Sequence, residues 1–147
     1  MSFTMVASGL RRRYALVQPD HIWQVLAMQQ ELADTKAASS TDPRIADAVR
    51  RIADGIQPRA ILVFGSRARG LARPDSDLDL LVVADVDGPG RPTWDETYLR
   101  IMQLLWGVRM PIDVVLCAAA EFERWRTTRN HVYGQAARDG WVAYGRI

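Results

Sequence analysis

The chain is poor in cysteine and in long apolar runs. Its 147 residues include one cysteine, Cys117, so no disulfide can form within the chain, and a single thiol suits a reducing compartment. No stretch approaches the roughly 18 continuous apolar residues of a membrane span, and the basic residues 11–13 are not followed by the apolar core of a secretory signal. These absences predict a cytoplasmic protein with no membrane partner.

The chain also lacks a strong excess of either charge. Its 19 basic residues almost balance its 17 acidic residues, and the net charge of +2 is too small to predict direct nucleic-acid binding. Only one of the basic residues, Lys36, is a lysine, so nearly all positive groups are guanidinium groups, which suit phosphate or carboxylate. The apolar content of 48% is ordinary for a globular protein, so we expect a packed core.

Predicted strands and helices alternate from Asp42 onward, which indicates one α+β (mixed α/β) domain over 42–147 with a small mixed sheet of about four strands flanked by helices. Residues 1–41 are predicted to be an N-terminal extension with one helix opening at Pro19. The predicted elements are a helix from Asp42-Pro43 to Gly55, a strand in AILVFG (60–65), a strand over 78–84, a helix over 93–106, a strand in PIDVVLCA (111–118), mostly helical chain over 121–138 and a strand in WVAYG (141–145).

The stretch GSRARGLARPDSDLDLLVV (65–83) contains an unusual pair of acids at the start of a predicted strand. Asp77 and Asp79 project to one face, about 6.6 Å apart along the backbone, so their carboxylates can converge on one Mg²⁺. Asp113 is a lone charge between Ile112 and Val114, and burying it unpaired would be costly. If its strand neighbours that of Asp79, three carboxylates could share one or two cations.

The first two residues of the same stretch, Gly65 and Ser66, suit phosphate binding. Glycine lets the backbone approach a ligand closely, and free amides at a helix start favour phosphate oxygens. The basic residues 67, 69 and 73 could neutralise further phosphate charge, and the sequence does not show which of them face the site. Ten residues separate Ser66 from Asp77, which is short for a parallel crossover, so we expect antiparallel neighbours and one cleft between the two motifs.

Other motifs and plainer explanations compete with this interpretation. An EF-hand that starts at Asp75 is excluded because Leu80 stands where the motif requires glycine and Val86 stands where it requires glutamate. A Walker A loop is excluded because no lysine follows the glycines. Asp77 and Asp79 could instead be a solvated strand start, and Asp113 a charge on an edge strand. The Gly-Ser step could form a turn with a cap, although that turn would also be its working geometry.

The Gly-Ser step, the ten intervening residues and the Asp-x-Asp pair together resemble the signature of the minimal nucleotidyltransferases of the DNA polymerase beta-like superfamily. The resemblance extends over 42–147, because PIDVV is similar to the strand that carries the family's third carboxylate and AARDGWVAYGR to its closing helix and strand. The resemblance implies Mg²⁺, with two ions, and ATP or another nucleoside triphosphate as substrate. Asp77, Asp79 and Asp113 would bind metal and carry catalysis, and Gly65, Ser66 and Arg67 would bind the nucleotide.

The resemblance further implies a role for a partner protein. Many small members resemble antitoxins that pair with an all-helical HEPN toxin, and some attach AMP to a toxin tyrosine. We therefore expect transfer of a nucleoside monophosphate to a protein hydroxyl. Two alternatives stay open: a binding module that neutralises its partner by contact alone, and an enzyme that acts on a small-molecule hydroxyl.

Overall fold

A computed structural model describes residues 42–147, which form five helices and a four-stranded mixed sheet. The predicted extension, with its helix opening at Pro19, lies outside the described residues. None of the helices within 42–147 has the length and apolar content that a membrane crossing requires. The elements in chain order are α1 (Pro43–Ile56), β1 (Ala60–Phe64), α2 (Gly65–Ala68), β2 (Leu78–Ala84), α3 (Trp94–Leu105), β3 (Ile112–Ala118), α4 (Ala119–Trp125), α5 (Val132–Asp139) and β4 (Trp141–Gly145).

The sheet has the strand order β3-β2-β1-β4. Strand β1 is antiparallel to both β2 and β4, whereas β2 and β3 run parallel and are joined by the crossover that contains α3. The antiparallel pairing of β1 and β2 confirms the inference from the short connection between Ser66 and Asp77. The α+β class and the mixed four-stranded sheet are likewise confirmed.

Alternate residues of the strands pack into two separate apolar layers, one on each face of the sheet. Helices α1 and α3 cover the first face and helices α4 and α5 cover the second. On the first face, buried strand residues Ile61, Val63, Leu80 and Val82 pack with Ile45, Ile52 and Ile101. On the second, Leu62, Leu81 and Cys117 pack with Phe122 and Ala136. Because side chains alternate along a strand, odd positions of β2, including 79, belong to the second face.

Helix α1 begins where the sequence predicts and ends slightly later. The Asp42 carboxylate accepts a hydrogen bond from the Arg44 backbone N–H at 2.9 Å and caps the helix. The prediction that Gly55 ends the helix is wrong, because the helix continues to Ile56 and Gln57 takes the left-handed conformation, with φ of 48°. Gly55 instead allows close helix packing, since a Cβ there would lie 2.7 Å from Cδ2 of Leu104 on α3.

The chain over 121–138 is interrupted rather than continuously helical. It forms α4 and α5, separated by a turn in which the His131 ring accepts a hydrogen bond from the Tyr133 backbone N–H at 3.3 Å and caps α5. Gly134 allows this turn to fold back, because a Cβ there would lie 2.9 Å from the Thr128 carbonyl carbon. Because of this break, α5 is a separate helix that leads directly into β4.

Cys117 is fully buried on β3, and burial raises the pKa of its thiol to about 12. At pH 8 roughly one thiol in ten thousand would then be ionised, and the thiolate is the reactive form. We expect the folded protein to resist Ellman's reagent over hours, and to release one equivalent of chromophore once guanidinium unfolds it. Rapid reaction of the native protein would show that this thiol is accessible and would contradict its structural role.

Candidate functional site

Two of the predicted acids lie side by side on neighbouring strands. Strands β2 and β3 are parallel, and Asp79 is the register partner of Asp113. Register partners point to the same face of a sheet, so both carboxylates lie on the face covered by α4 and α5. Asp79 is partly buried and Asp113 is exposed. The condition set for Asp113, that its strand neighbours the strand of Asp79, is therefore met.

The electrostatic environment of Asp79 disfavours its charged form. Burial raises the pKa of its carboxyl group, and repulsion from Asp113 and Asp77 raises it further, while the positive charges of Arg69 and Arg67 act in the opposite direction. Asp113 is the register partner of Asp79 and Asp77 lies two residues before it, so three carboxyl groups lie near the start of β2. Such a cluster would be stabilised by a cation or by proton uptake.

Gly65 brings the backbone of the Gly-Ser step directly against Asp79. Phe64, the last residue of β1, pairs with Asp79 in register, and the chain then turns at Gly65 with φ of 71°. A Cβ at Gly65 would overlap the Asp79 carboxylate, with the carboxylate carbon only 2.8 Å away. Glycine is therefore required here by both the conformation and the available space.

Phe64, Gly65 and Asp79 line a cleft of about 330 Å³. Strand β1 contributes Phe64, helix α2 contributes the Gly-Ser step, β2 contributes Asp79, and α5 contributes a further wall. The lining residues are Phe64, Gly65, Ser66, Arg69, Asp79, Gln135 and Asp139. The structure therefore brings the Gly-Ser step and the strand carboxylate together across a cleft.

Arg67 lies in the interior instead of lining the cleft. Its side chain is about nine-tenths buried and donates a hydrogen bond to the Ser76 carbonyl at 2.6 Å, while its other terminal nitrogen lies 4.0 Å from the Asp42 carboxylate. These contacts connect α2, the loop before β2 and the start of α1. The contact of Arg67 with a nucleotide stays a prediction, and Arg69 is the arginine of this stretch that faces the cleft.

A comparison with known families shows which family the chain belongs to. A sequence model described as a nucleotidyltransferase domain matches residues 43–134, which is more than half of the chain. The chain belongs to the nucleotidyltransferase domain family. Among solved structures, the chain is similar to a candidate nucleotidyltransferase from Sulfolobus solfataricus, with 18% identity, coverage of 78% of this chain and 87% of that chain, and a TM-score of 0.50. At this identity the likeness shows the fold alone. No curated protein sequence matches the chain.

The carboxylates of this nucleotidyltransferase domain are the type of ligand that a hard divalent cation such as Mg²⁺ prefers. No three acidic, histidine or cysteine side chains of residues 42–147 are already gathered at the spacing of metal ligands. Mg²⁺ is commonly held by one or two carboxylates, with substrate phosphates and water completing its shell. Asp79 and Asp113, as register partners, can supply such a pair, and Asp77 lies exposed just before β2. The joint metal binding of Asp77, Asp79 and Asp113 stays a prediction.

Two residues that line the cleft were not predicted from the sequence. Gln135 and Asp139 lie four residues apart on α5 and therefore point in the same direction. Both lie beyond the segment 43–134 that the family model matches. The only signal in the sequence was two polar residues at helical spacing, which is also typical of a solvated helix face.

Proposed function

We propose that this nucleotidyltransferase domain catalyses Mg²⁺-dependent transfer of AMP from ATP to a protein hydroxyl, and that the acceptor is a HEPN-type toxin for which this chain is the antitoxin. The observation that carries the transfer chemistry is the contact of Gly65 with Asp79, whose register partner on β3 is Asp113. The family match supports a nucleoside triphosphate as substrate. The AMP group and the HEPN partner rest on the resemblance of the motif to antitoxin-type members.

Each residue has a proposed part in the reaction. Gly65 and Ser66 hold the triphosphate, and Arg69 or Arg67 offsets its charge. Asp77, Asp79 and Asp113 would hold Mg²⁺, whose chemistry is to withdraw charge from the phosphate oxygens and lower the pKa of the attacking hydroxyl. The acceptor oxygen forms a bond to the α-phosphorus, the bond from this phosphorus to the bridging oxygen breaks, and pyrophosphate leaves. Asp113 helps to take the proton of the acceptor hydroxyl.

The domain boundary and the location of the protein are further parts of the proposal. The family match begins at residue 43, which supports a nucleotidyltransferase domain over 42–147 preceded by an extension over 1–41. The single buried cysteine suits a reducing compartment, and we propose the cytoplasm.

Labelled ATP tests the reaction and the acceptor together. The protein is incubated with Mg²⁺ and a co-encoded helical protein, using ATP labelled at either the α- or the γ-phosphate. We expect label on the partner from α-labelled ATP only, with mass spectrometry locating AMP on a hydroxyl side chain. Transfer of the γ-label would contradict nucleotidyl transfer. Label on added small hydroxyl compounds, with none on the protein, would favour a small-molecule acceptor.

The same system separates transfer from neutralisation by contact. We expect the partner's toxicity to return when Asp77→Asn and Asp79→Asn are combined, since the double variant should lose transfer. If the double variant still neutralises the partner while transferring no label, contact is sufficient and the antitoxin role does not depend on the reaction.

A further inference from the structure

Helix α5 carries two polar side chains in the cleft that the fold itself does not use. Neither Gln135 nor Asp139 makes a side-chain hydrogen bond or an ion pair with any other residue of 42–147. Asp139 is also the last residue of α5, where the helix dipole disfavours a negative charge. Both side chains are exposed, so their position in the lining of the cleft, and not the lack of a partner, is what points to a ligand.

The position of α5 fixes the order of the groups along the cleft. Trp141, which begins β4, pairs with Val63, so the end of α5 is held against the end of β1. A Cβ at Gly140 would lie 2.7 Å from the Val63 carbonyl oxygen and 3.3 Å from the Phe64 Cβ. Asp139 therefore lies beside the Gly-Ser step, and Gln135 lies about 6 Å further along the helix axis.

We infer that α5 is the nucleoside-binding wall of the cleft, with Asp139 accepting hydrogen bonds from the ribose hydroxyls and Gln135 binding the edge of the adenine base. The inference rests on the proposed function, because it takes the triphosphate to lie on Gly65 and Ser66. A nucleotide whose phosphates lie on Ser66 would then place its ribose next to Asp139 and its base next to Gln135.

The chemistry of the two side chains suits these two groups. An ionised carboxylate only accepts hydrogen bonds, and two neighbouring ribose hydroxyls supply donors. A glutamine amide offers one donor and one acceptor side by side, which matches the N7 acceptor and N6 donor of adenine, while guanine presents two acceptors at the same edge. The two residues are therefore assigned to the binding of ribose and to the choice between adenine and guanine.

Binding measurements without an acceptor test the inference. Four probes are titrated in Mg²⁺ by calorimetry: ATP, 2′,3′-dideoxy-ATP, GTP and inorganic tripolyphosphate. We expect the native protein to bind ATP about tenfold or more tightly than the dideoxy analogue, since hydrogen bonds to a charged group are lost. Asp139→Ala should remove this preference and Gln135→Ala should reduce the preference for ATP over GTP. Gln135→Ala should leave the affinity for tripolyphosphate unchanged, and Asp139→Ala should not weaken it, because that change removes a negative charge from the cleft.

Two exposed residues on the opposite side of the sheet provide matched controls. Asp54→Ala on α1 and Gln103→Ala on α3 should leave all four affinities unchanged. The inference that α5 binds the nucleoside is contradicted if Asp139→Ala keeps the ratio of ATP to dideoxy-ATP affinity, or if it weakens the binding of tripolyphosphate as much as that of ATP. In either case the proposed phosphate site is unaffected. If the native protein binds neither ATP nor tripolyphosphate, the proposed function fails and this inference falls with it.

Discussion

Gly65→Ala is expected to lower nucleotidyl transfer by at least about 100-fold. The added Cβ overlaps the Asp79 carboxylate, so either that side chain or the turn after β1 must move. A shift of about 1 Å in reacting groups can cost about 100-fold in rate, and this substitution would displace the proposed phosphate-binding turn from the proposed metal ligand. Steady-state assays with α-labelled ATP measure the loss.

Gly90→Ala is the matched control for the backbone part of this effect. Gly90 also has a positive φ, of 69°, but a Cβ there would meet nothing within 4 Å. Both variants should lose about 1–2 kcal/mol of unfolding free energy from the left-handed conformation. Only Gly65→Ala should lose activity, so equal transfer rates in the two variants would contradict the role assigned to the contact with Asp79.

Asp79→Asn is expected to reduce transfer by about 1,000-fold or more, because a bound metal ion supplies several kcal/mol of transition-state stabilisation. Asparagine has the same shape but lacks the charge that a divalent cation requires. Asp75→Asn is the control, since Asp75 is an exposed residue of the turn before β2. An Asp79→Asn variant that keeps a tenth of the native rate would show that this carboxylate is not essential.

The same substitution should leave the fold intact and stabilise it at neutral pH. Because the pKa of Asp79 is raised in the folded protein, the folded state binds this proton more tightly than the unfolded state does. Its ionisation therefore lowers the unfolding free energy above the raised pKa, and that penalty disappears as the pH falls towards the ordinary value of 3.8.

Denaturant unfolding at pH 7 and near pH 4 measures this effect. We expect Asp79→Asn to exceed the native protein in unfolding free energy at pH 7, with the difference shrinking near pH 4. A variant that is clearly less stable than the native protein at pH 7 would assign Asp79 a structural role.

The sequence was most informative where local chemistry decides the structure. Alternation along β2 places Leu78 and Leu80 in the core and Asp79 on the other face, and the short connection from Ser66 predicts the antiparallel neighbour. The lone charge of Asp113 in an apolar strand marked it as a candidate site residue, whereas its register with Asp79 is known only from the structure.

The parts that the sequence could not predict depend on tertiary contacts. Arg67 and Arg69 are two residues apart and chemically identical, and only the packing of α2 against the loop that contains Ser76 buries the first and exposes the second. The wall formed by α5 depends on the break in the helical chain over 121–138 and on the pairing of β4 with β1, both of which connect distant parts of the chain.

The central claim is that Asp79 and Asp113, together with the Gly-Ser step, bind one triphosphate and its metal ion. Diffraction from crystals grown with Mn²⁺ and a non-hydrolysable ATP analogue tests it directly, because Mn²⁺ gives an anomalous signal. We predict a peak bridging the carboxylates of Asp79 and Asp113, with phosphate oxygens on the amides of Gly65 and Ser66. Metal and triphosphate located elsewhere, for example in the cavity of about 620 Å³ that Asp85 and Arg100 line at the other end of β2, would contradict it.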